Sequence, residues 1–334
     1  MGRRERGARH LVRGDTTHGD KRATEPGCRG TTPTVTAMET QTLQWNWRGH
    51  PICVGADSTG ADPQVLLLPA LSSISTRHEM RPLQERLAAR YGTIRVDWPG
   101  FGDRPRPAVD WTPQAYTAFL AFVLERVIAR PCVVIAAGHG ATYALMHAVE
   151  AAAPLISRLV MIAPTWRGPL PTMLGGRRGF LERICDAVDL PGLGPVLYRL
   201  NVNRLVVRLM VAGHVYADQR FLTAERLRAK LDVIRAPGAR FASVRFVTGG
   251  LDPVDRREAF LDLPQRTAVP ILLIYGAGTP PKSRAEIEAL AVLPGVRRVL
   301  LSQGKLSIHE EFPDAVVDAI DPFLAAASLT GRQS

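Results

Sequence analysis

The sequence has no apolar run long enough to cross a bilayer. PQVLLLPAL and the run from Leu159 to Pro164 stay well short of the roughly 18–20 residues a helical span needs, so a soluble chain is expected. Cysteine is scarce. Cys28, Cys53, Cys132 and Cys185 show no CxxC spacing, which argues against a disulfide framework or a zinc site and fits the reducing cytoplasm. The His, Asp and Glu residues also lack metal-ligand spacing, and neither GAG nor GGLDP forms a phosphate loop by itself. Neither metal nor cofactor is expected, and no internal repeat is apparent.

The charge is lopsided, at +11, which raises the question of an anionic partner. Its distribution answers against nucleic acid: the excess is spread out, and no aromatic and Arg-rich groove pattern accompanies it. Part of it sits in residues 1–37, where eight Lys or Arg face four Asp or Glu. That Gly- and Thr-rich stretch has no periodicity and no apolar centre of a secretory signal. It is expected to be a disordered tail, or to be absent through a start at Met38. Residues 329–334 form a second short tail.

Between the tails, 46% hydrophobic content is enough for a sizeable core. LQWNWRG and PICVGAD read as a hairpin, and PQVLLLPA as a short strand buried on both faces. MRPLQERLAARY has helical spacing, and TIRVDWP reads as the next strand. Thr112 stands where it can cap a helix over 112–130, with Pro113 in its first turn and Tyr116, Phe119, Leu120, Val123 and Val127 as its stripe. PCVVIAAG is the following strand, leading into a helix from about Ala141, and RLVMIAP is another. VPILLIYG, SRAEIEALAVL, RRVLLS and DAVVDAIDPFLAAAS repeat the alternation. The expected fold is α/β, a mostly parallel sheet with helices on both faces. Residues 38–166 and 266–328 are its two parts. Residues 167–265 are too long for a loop and carry apolar residues at helical spacing, such as Leu205, Val206 and Leu209, so a helical cap is expected there.

Three stretches in order carry a family resemblance. DWPGFGDRPRP resembles the DxPGxGxSxxP loop of α/β-hydrolases, GHGAT their nucleophile elbow GHSxG, and EEFPDAVVDAIDPFL their closing segment. The resemblance covers about 64–326. APTWRGPLPTM and FVTGGLDPV are also similar to a hydrolase-like group of photosynthetic bacteria and chloroplasts.

Such chemistry needs a nucleophile on a strained turn, a His to take its proton, and an acid to orient the His. The resemblance aligns Gly140 with the nucleophile, Thr279 with the acid, and Lys305 or Leu306 with the His, a degenerate triad. A register one residue earlier puts His139 at the tip. His309 aligns with a second, non-catalytic His of the family. The oxyanion position is Pro69 and Ala70, where the backbone N–H groups of Ala70, Leu71 and Ala141 are candidates. Ser72, Trp166 and Thr279 join them as candidate pocket lining, with Ser73, Ser75, His78, Trp98, Tyr143, His214 and Asp218 as further neighbours. Asp97, with Asp103 and Arg104, is read as tying the DWPGFGD loop together.

Three readings follow. In the first, a capped pocket binds a small apolar or carbonyl-containing molecule without turnover. In the second, His139 or His309 acts as a general base without a covalent intermediate. In the third, an unrecognised nucleophile hydrolyses an ester or amide. The residues assign no oligomeric state.

Overall fold

The computed structural model describes residues 37–60, 62, 64–150, 155–174, 178–201 and 204–330. The expected tails over 1–37 and 329–334 lie almost wholly outside these residues. β1 (Met38–Trp47) and β2 (His50–Thr59) form the hairpin. Arg48 and Gly49 both take positive φ, 50° and 87°, the backbone whose twist matches two antiparallel strands.

β3 (Val65–Leu68), β4 (Thr93–Val96), β5 (Cys132–Ala137), β6 (Ile156–Ile162), β7 (Ile271–Gly276) and β8 (Val296–Leu301) run parallel to one another in the order β1-β2-β4-β3-β5-β6-β7-β8. The central strands are apolar on both faces because both faces are covered. Leu66, Leu68, Val134, Ala136, Leu159 and Met161 point to one side, while Val65, Leu67, Ile135, Ala137, Val160 and Ile162 point to the other. The second face packs on α1 (Arg81–Leu87) through Leu83 and Leu87. The first packs on α2 (Pro113–Phe122) and α3 (Gly138–Glu150), through Phe119, Leu120, Ala144 and Leu145.

One helix starts where expected but without the expected capping bond, and another starts earlier. Thr112 occupies the N-cap of α2 with extended backbone, but its hydroxyl makes no capping bond and is buried without a partner; Pro113 has no N–H to offer, and its preset φ starts the helix. α3 begins at Gly138 instead of Ala141, directly on the last residue of β5.

Between β6 and β7 lie α4 (Pro169–Leu174), α5 (Arg178–Asp189), α6 (Leu193–Asn201), α7 (Arg204–Met210), α8 (Ala224–Arg235), α9 (Ala239–Thr248) and α10 (Arg257–Asp262). They have a small core of their own, built on Val188, Tyr198, Val207, Val211, Leu227 and Leu231. After β7 come α11 (Pro281–Ala291), α12 (Ile308–Glu311) and α13 (Pro313–Thr330). Val316, Ile320 and Phe323 of α13 complete the second face. Among the described residues no helix is long and apolar enough to cross a membrane.

Residues 305–311 fasten the intervening helical segment to the sheet domain. Lys305 Nζ donates to the Ala212 carbonyl at 2.7 Å, and the N–H groups of Leu306 and Ser307 donate to the carbonyls of His214 and Val215. Tyr216 donates its hydroxyl to Glu310 at 2.6 Å, and the Ala217 and Asp218 amides donate to Glu311. The two glutamates of the EEFP stretch thus act as acceptors for a segment nearly a hundred residues away.

Candidate functional site

The turn after β5 has its left-handed residue at Gly138, with φ +51°. It lies two residues before Gly140, the position the resemblance aligns with the nucleophile. In the observed register the small residues on either side of the tip are Ala136 and Gly140, the same small-x-tip-x-small spacing as G-x-S-x-G. A tip at Gly140 would have left Thr142 in the second small position. Gly140 is needed for packing: a Cβ there would stand 2.8 Å from the Pro69 carbonyl oxygen and 3.2 Å from Trp98 Cζ2. At Gly138 a Cβ would face Ala70 Cβ at 3.1 Å and Thr165 Oγ1 at 3.7 Å, so this is where the strand-to-helix bend meets the loops after β3 and β6. Gly140→Ser should therefore lower stability by about 3 kcal/mol through a clash with backbone, and Gly138→Ser by only about 1 kcal/mol through its positive φ. Denaturant midpoints of the two variants measure the difference.

The side chain next to the tip is engaged at both nitrogens. His139, 2% exposed, has Nδ1 at 2.7 Å from Thr165 Oγ1 and Nε2 at 3.2 Å from Asp252 Oδ1. Phe246 stands edge-on to the ring. Asp252 is itself held by the Gly168 amide, which donates to Oδ1 at 2.7 Å. Three segments distant in sequence thus supply a hydroxyl, an imidazole and a carboxylate in series. Thr165 is partly exposed, and Asp252 borders an open cleft of about 790 Å³, which Trp111, Cys185, Arg245 and Asp255 also line.

Neither Thr165 nor Asp252 is among the sequence-derived candidates. The signal was present in APTWRG and FVTGGLDPV, the two stretches similar to the photosynthetic group, but it carried no role. A His at 139 reads as a flanking residue until the fold brings Asp252 to it across 113 positions.

The expected lining residues are mostly packed away. Leu71, Ala141, Trp166 and Thr279 are all under 5% exposed, and none of them, nor Ala70, Ser72, His139 or Gly140, borders the cleft. Trp166 stacks on Phe260. Thr279 turns its hydroxyl back onto the Gly276 carbonyl at 2.7 Å. Ser72 Oγ accepts from the Ile74 amide within its own turn, and Ser73 donates to the Ser243 carbonyl. Trp98 and Tyr143 pack against each other in the aromatic core and donate to the carbonyls of Pro69 and Leu251. His214 is exposed, and Asp218 accepts from the Arg220 amide.

The Ala70 N–H is not open to a ligand, because it donates to Glu79 Oε1 at 2.6 Å. Glu79 is buried and also faces His309 Nε2 at 3.3 Å, with His309 fully enclosed. Burial alone would raise the Glu79 carboxyl, yet His309, Lys230 and the Ala70 amide together hold it below its ordinary value. A depressed carboxylate pKa contributes stability above the unfolded value that is lost as pH falls through the folded one. Melting temperatures of the parent and Glu79→Gln should therefore differ at pH 7, and the difference should shrink only as pH falls below the ordinary glutamate value of about 4.3.

A second buried network underlies the DWPGFGD loop. Arg77, 2% exposed, contacts Asp57 at 2.8 Å, Asp97 at 2.5 Å and Asp103 at 2.8 Å, and Arg95 contacts Asp57 at 2.8 Å. The Arg77 amide donates to Asp97 as well. Burial disfavours the guanidinium charge, but the three carboxylates more than offset this and hold Arg77 charged. Gly102, at φ +77°, makes room for the Asp97 carboxyl, which a Cβ would overlap.

The structure resembles solved α/β-hydrolases in fold. Cfl2 from Burkholderia cenocepacia superimposes with a TM-score of 0.64 at 19% identity, covering 87% of this chain and 97% of that one. The epoxide hydrolase CorEH gives 0.65 at 18%, covering 86% and 100%. A thermophilic esterase from Thermogutta terrifontis gives 0.64 at 19%, covering 86% and 98%. At these identities the likeness is one of fold. No curated protein matches the sequence. The sequence profile of the alpha/beta hydrolase family matches residues 65–319, well over half of the chain. With the strand order and the bend after β5, this match establishes that the chain belongs to the alpha/beta hydrolase family.

Proposed function

We propose that this chain acts on a small carbonyl-containing molecule, an ester or thioester, through Thr165 and not through the usual elbow nucleophile. The observation that supports this reading is the series Asp252–His139–Thr165. A carboxylate at Nε2 favours the tautomer protonated there, which turns the Nδ1 lone pair toward the Thr165 hydroxyl. His139 takes the Thr165 proton as Oγ1 attacks the carbonyl carbon, then passes that proton to the leaving group as its bond to carbon breaks. Water, deprotonated by the same imidazole, then attacks the acyl carbon, and the imidazole returns that proton to Thr165 Oγ1 as the acyl carbon–Oγ1 bond breaks. The usual triad is degenerate in this reading: Gly138 has no side chain, the turn after β7 is Ala-Gly-Thr, and Leu306 stands where the family's His is expected. The helices between β6 and β7 serve as the cap, and the protein works in the cytoplasm, without cofactor, metal or nucleic acid.

A second reading, retention of a ligand without turnover, is favoured by the Ala70 amide. Its bond to Glu79 removes one N–H that would stabilise an oxyanion. Incubation with a fluorophosphonate and a panel of activated esters, followed by peptide mass spectrometry, separates the two. Label on Thr165 that is lost in His139→Ala and Asp252→Asn supports the first. Absence of label and turnover, with a small molecule retained in native mass spectrometry, supports the second. Turnover that survives Thr165→Val sinks the first.

A further inference from the structure

The helical segment between β6 and β7 carries large apolar side chains that stay exposed among the described residues. Among the described residues, every exposed large apolar side chain except Met38, Val292 and Leu300 falls within residues 173–209. α7 shows the arrangement best. Val207, together with Val211 just beyond the helix, is buried in the segment's own core. Leu205 and Leu209, half a helical turn away from that face, are 65% and 64% exposed. In the preceding stretch of chain, Leu190, Leu193 and Val196, just before and on α6, are also each at least half exposed. A surface helix ordinarily turns charged or polar residues outward, whereas α7 turns Leu205 and Leu209 outward among its arginines.

The charges around these side chains indicate what they meet. Arg199, Arg204 and Arg208 are exposed beside these apolar residues, and residues 190–212 contain no Asp or Glu. Leucines and valines facing outward between arginines are the composition of a helix lying in the headgroup region of a bilayer, apolar side chains among the acyl chains and guanidinium groups on phosphates. A second copy of the chain fits less well, since a two-fold contact would set these arginines against their own copies. We propose that α6 and α7 dock this protein on the surface of an anionic phospholipid bilayer, without spanning it.

Flotation of the full chain with vesicles tests this, using phosphatidylcholine alone and a 7:3 mixture with phosphatidylglycerol. Binding should be about tenfold stronger to the mixed vesicles at low salt and should weaken as salt is raised. It should fall by at least about tenfold in the Leu205→Glu/Leu209→Glu double variant and severalfold in Arg204→Gln/Arg208→Gln. All four positions are exposed, so circular dichroism should stay unchanged. Equal binding to both vesicle types, or full binding by the leucine variant with loss only on removal of the basic residues 1–37, overturns the proposal. So does a concentration-dependent dimer, seen by sedimentation, that the leucine variant abolishes, because the second copy would then be the cover.

Discussion

Arg77→Ala should destabilise the protein by about 3–5 kcal/mol, enough to unfold many domains of this size at moderate denaturant. The cost lies less in the lost attraction than in what stays behind. Asp57 and Asp97 are both under 2% exposed, and without the guanidinium Asp97 keeps no cationic contact among the described residues while Asp57 keeps only Arg95. Asp103 is 41% exposed and adds little, because water screens it. Arg77→Lys should recover only part of the loss, since an ammonium carries the charge but not the fork that meets three carboxylates at once. Chemical denaturation of both variants at neutral pH measures the effect. A cost under about 1 kcal/mol for Arg77→Ala would mean that water reaches the network and solvates the aspartates.

His139→Ala should lower turnover of any ester the protein accepts by about 10²–10⁴-fold, the usual worth of a positioned general base. Asp252→Asn should lose less than His139→Ala while leaving the histidine in place, because Asp252 orients the ring and does not itself carry the transferred proton. Both should fall in kcat more than they rise in KM, as befits an interaction made in the transition state. A structural role predicts another pattern. His139 also ties the bend after β5 to the loop after β6 and to the 249–252 turn; if that is all it does, the variants lose stability and keep kcat. Measuring kcat and melting temperature on the same preparations decides between the two.

Much of the fold was readable along the chain. The apolar runs of β3, β5, β6 and β7 announce strands buried on both faces, and Pro113 and the αα spacing of Tyr116, Phe119 and Leu120 announce α2. The Arg48-Gly49 turn is visible between two alternating segments. The site was far less readable. GHGAT resembles the elbow pattern with Gly140 at its tip, although Ala136, Gly138 and Gly140 satisfy the same steric spacing. Local sequence does not say which glycine carries the positive φ, because the end of β5 decides it, and that end is set by pairing with β3 and β6. Nor could residue spacing match Glu79 with the Ala70 amide and His309, since the third partner arrives from the far end of the chain.

By itself, then, the order of residues determined the layered α/β architecture, because period-two and helical apolar patterns are local and each strand or helix reports its own buried face. The tertiary structure alone decided that Thr165, His139 and Asp252 meet, that Glu79 occupies the Ala70 amide, and that Leu205 and Leu209 face outward. His139 and Asp252 lie 113 positions apart, the loop from Ala70 to Glu79 closes only against the rest of the fold, and which face of a helix is left outward depends on what packs on the other; none of these is set by local residue order.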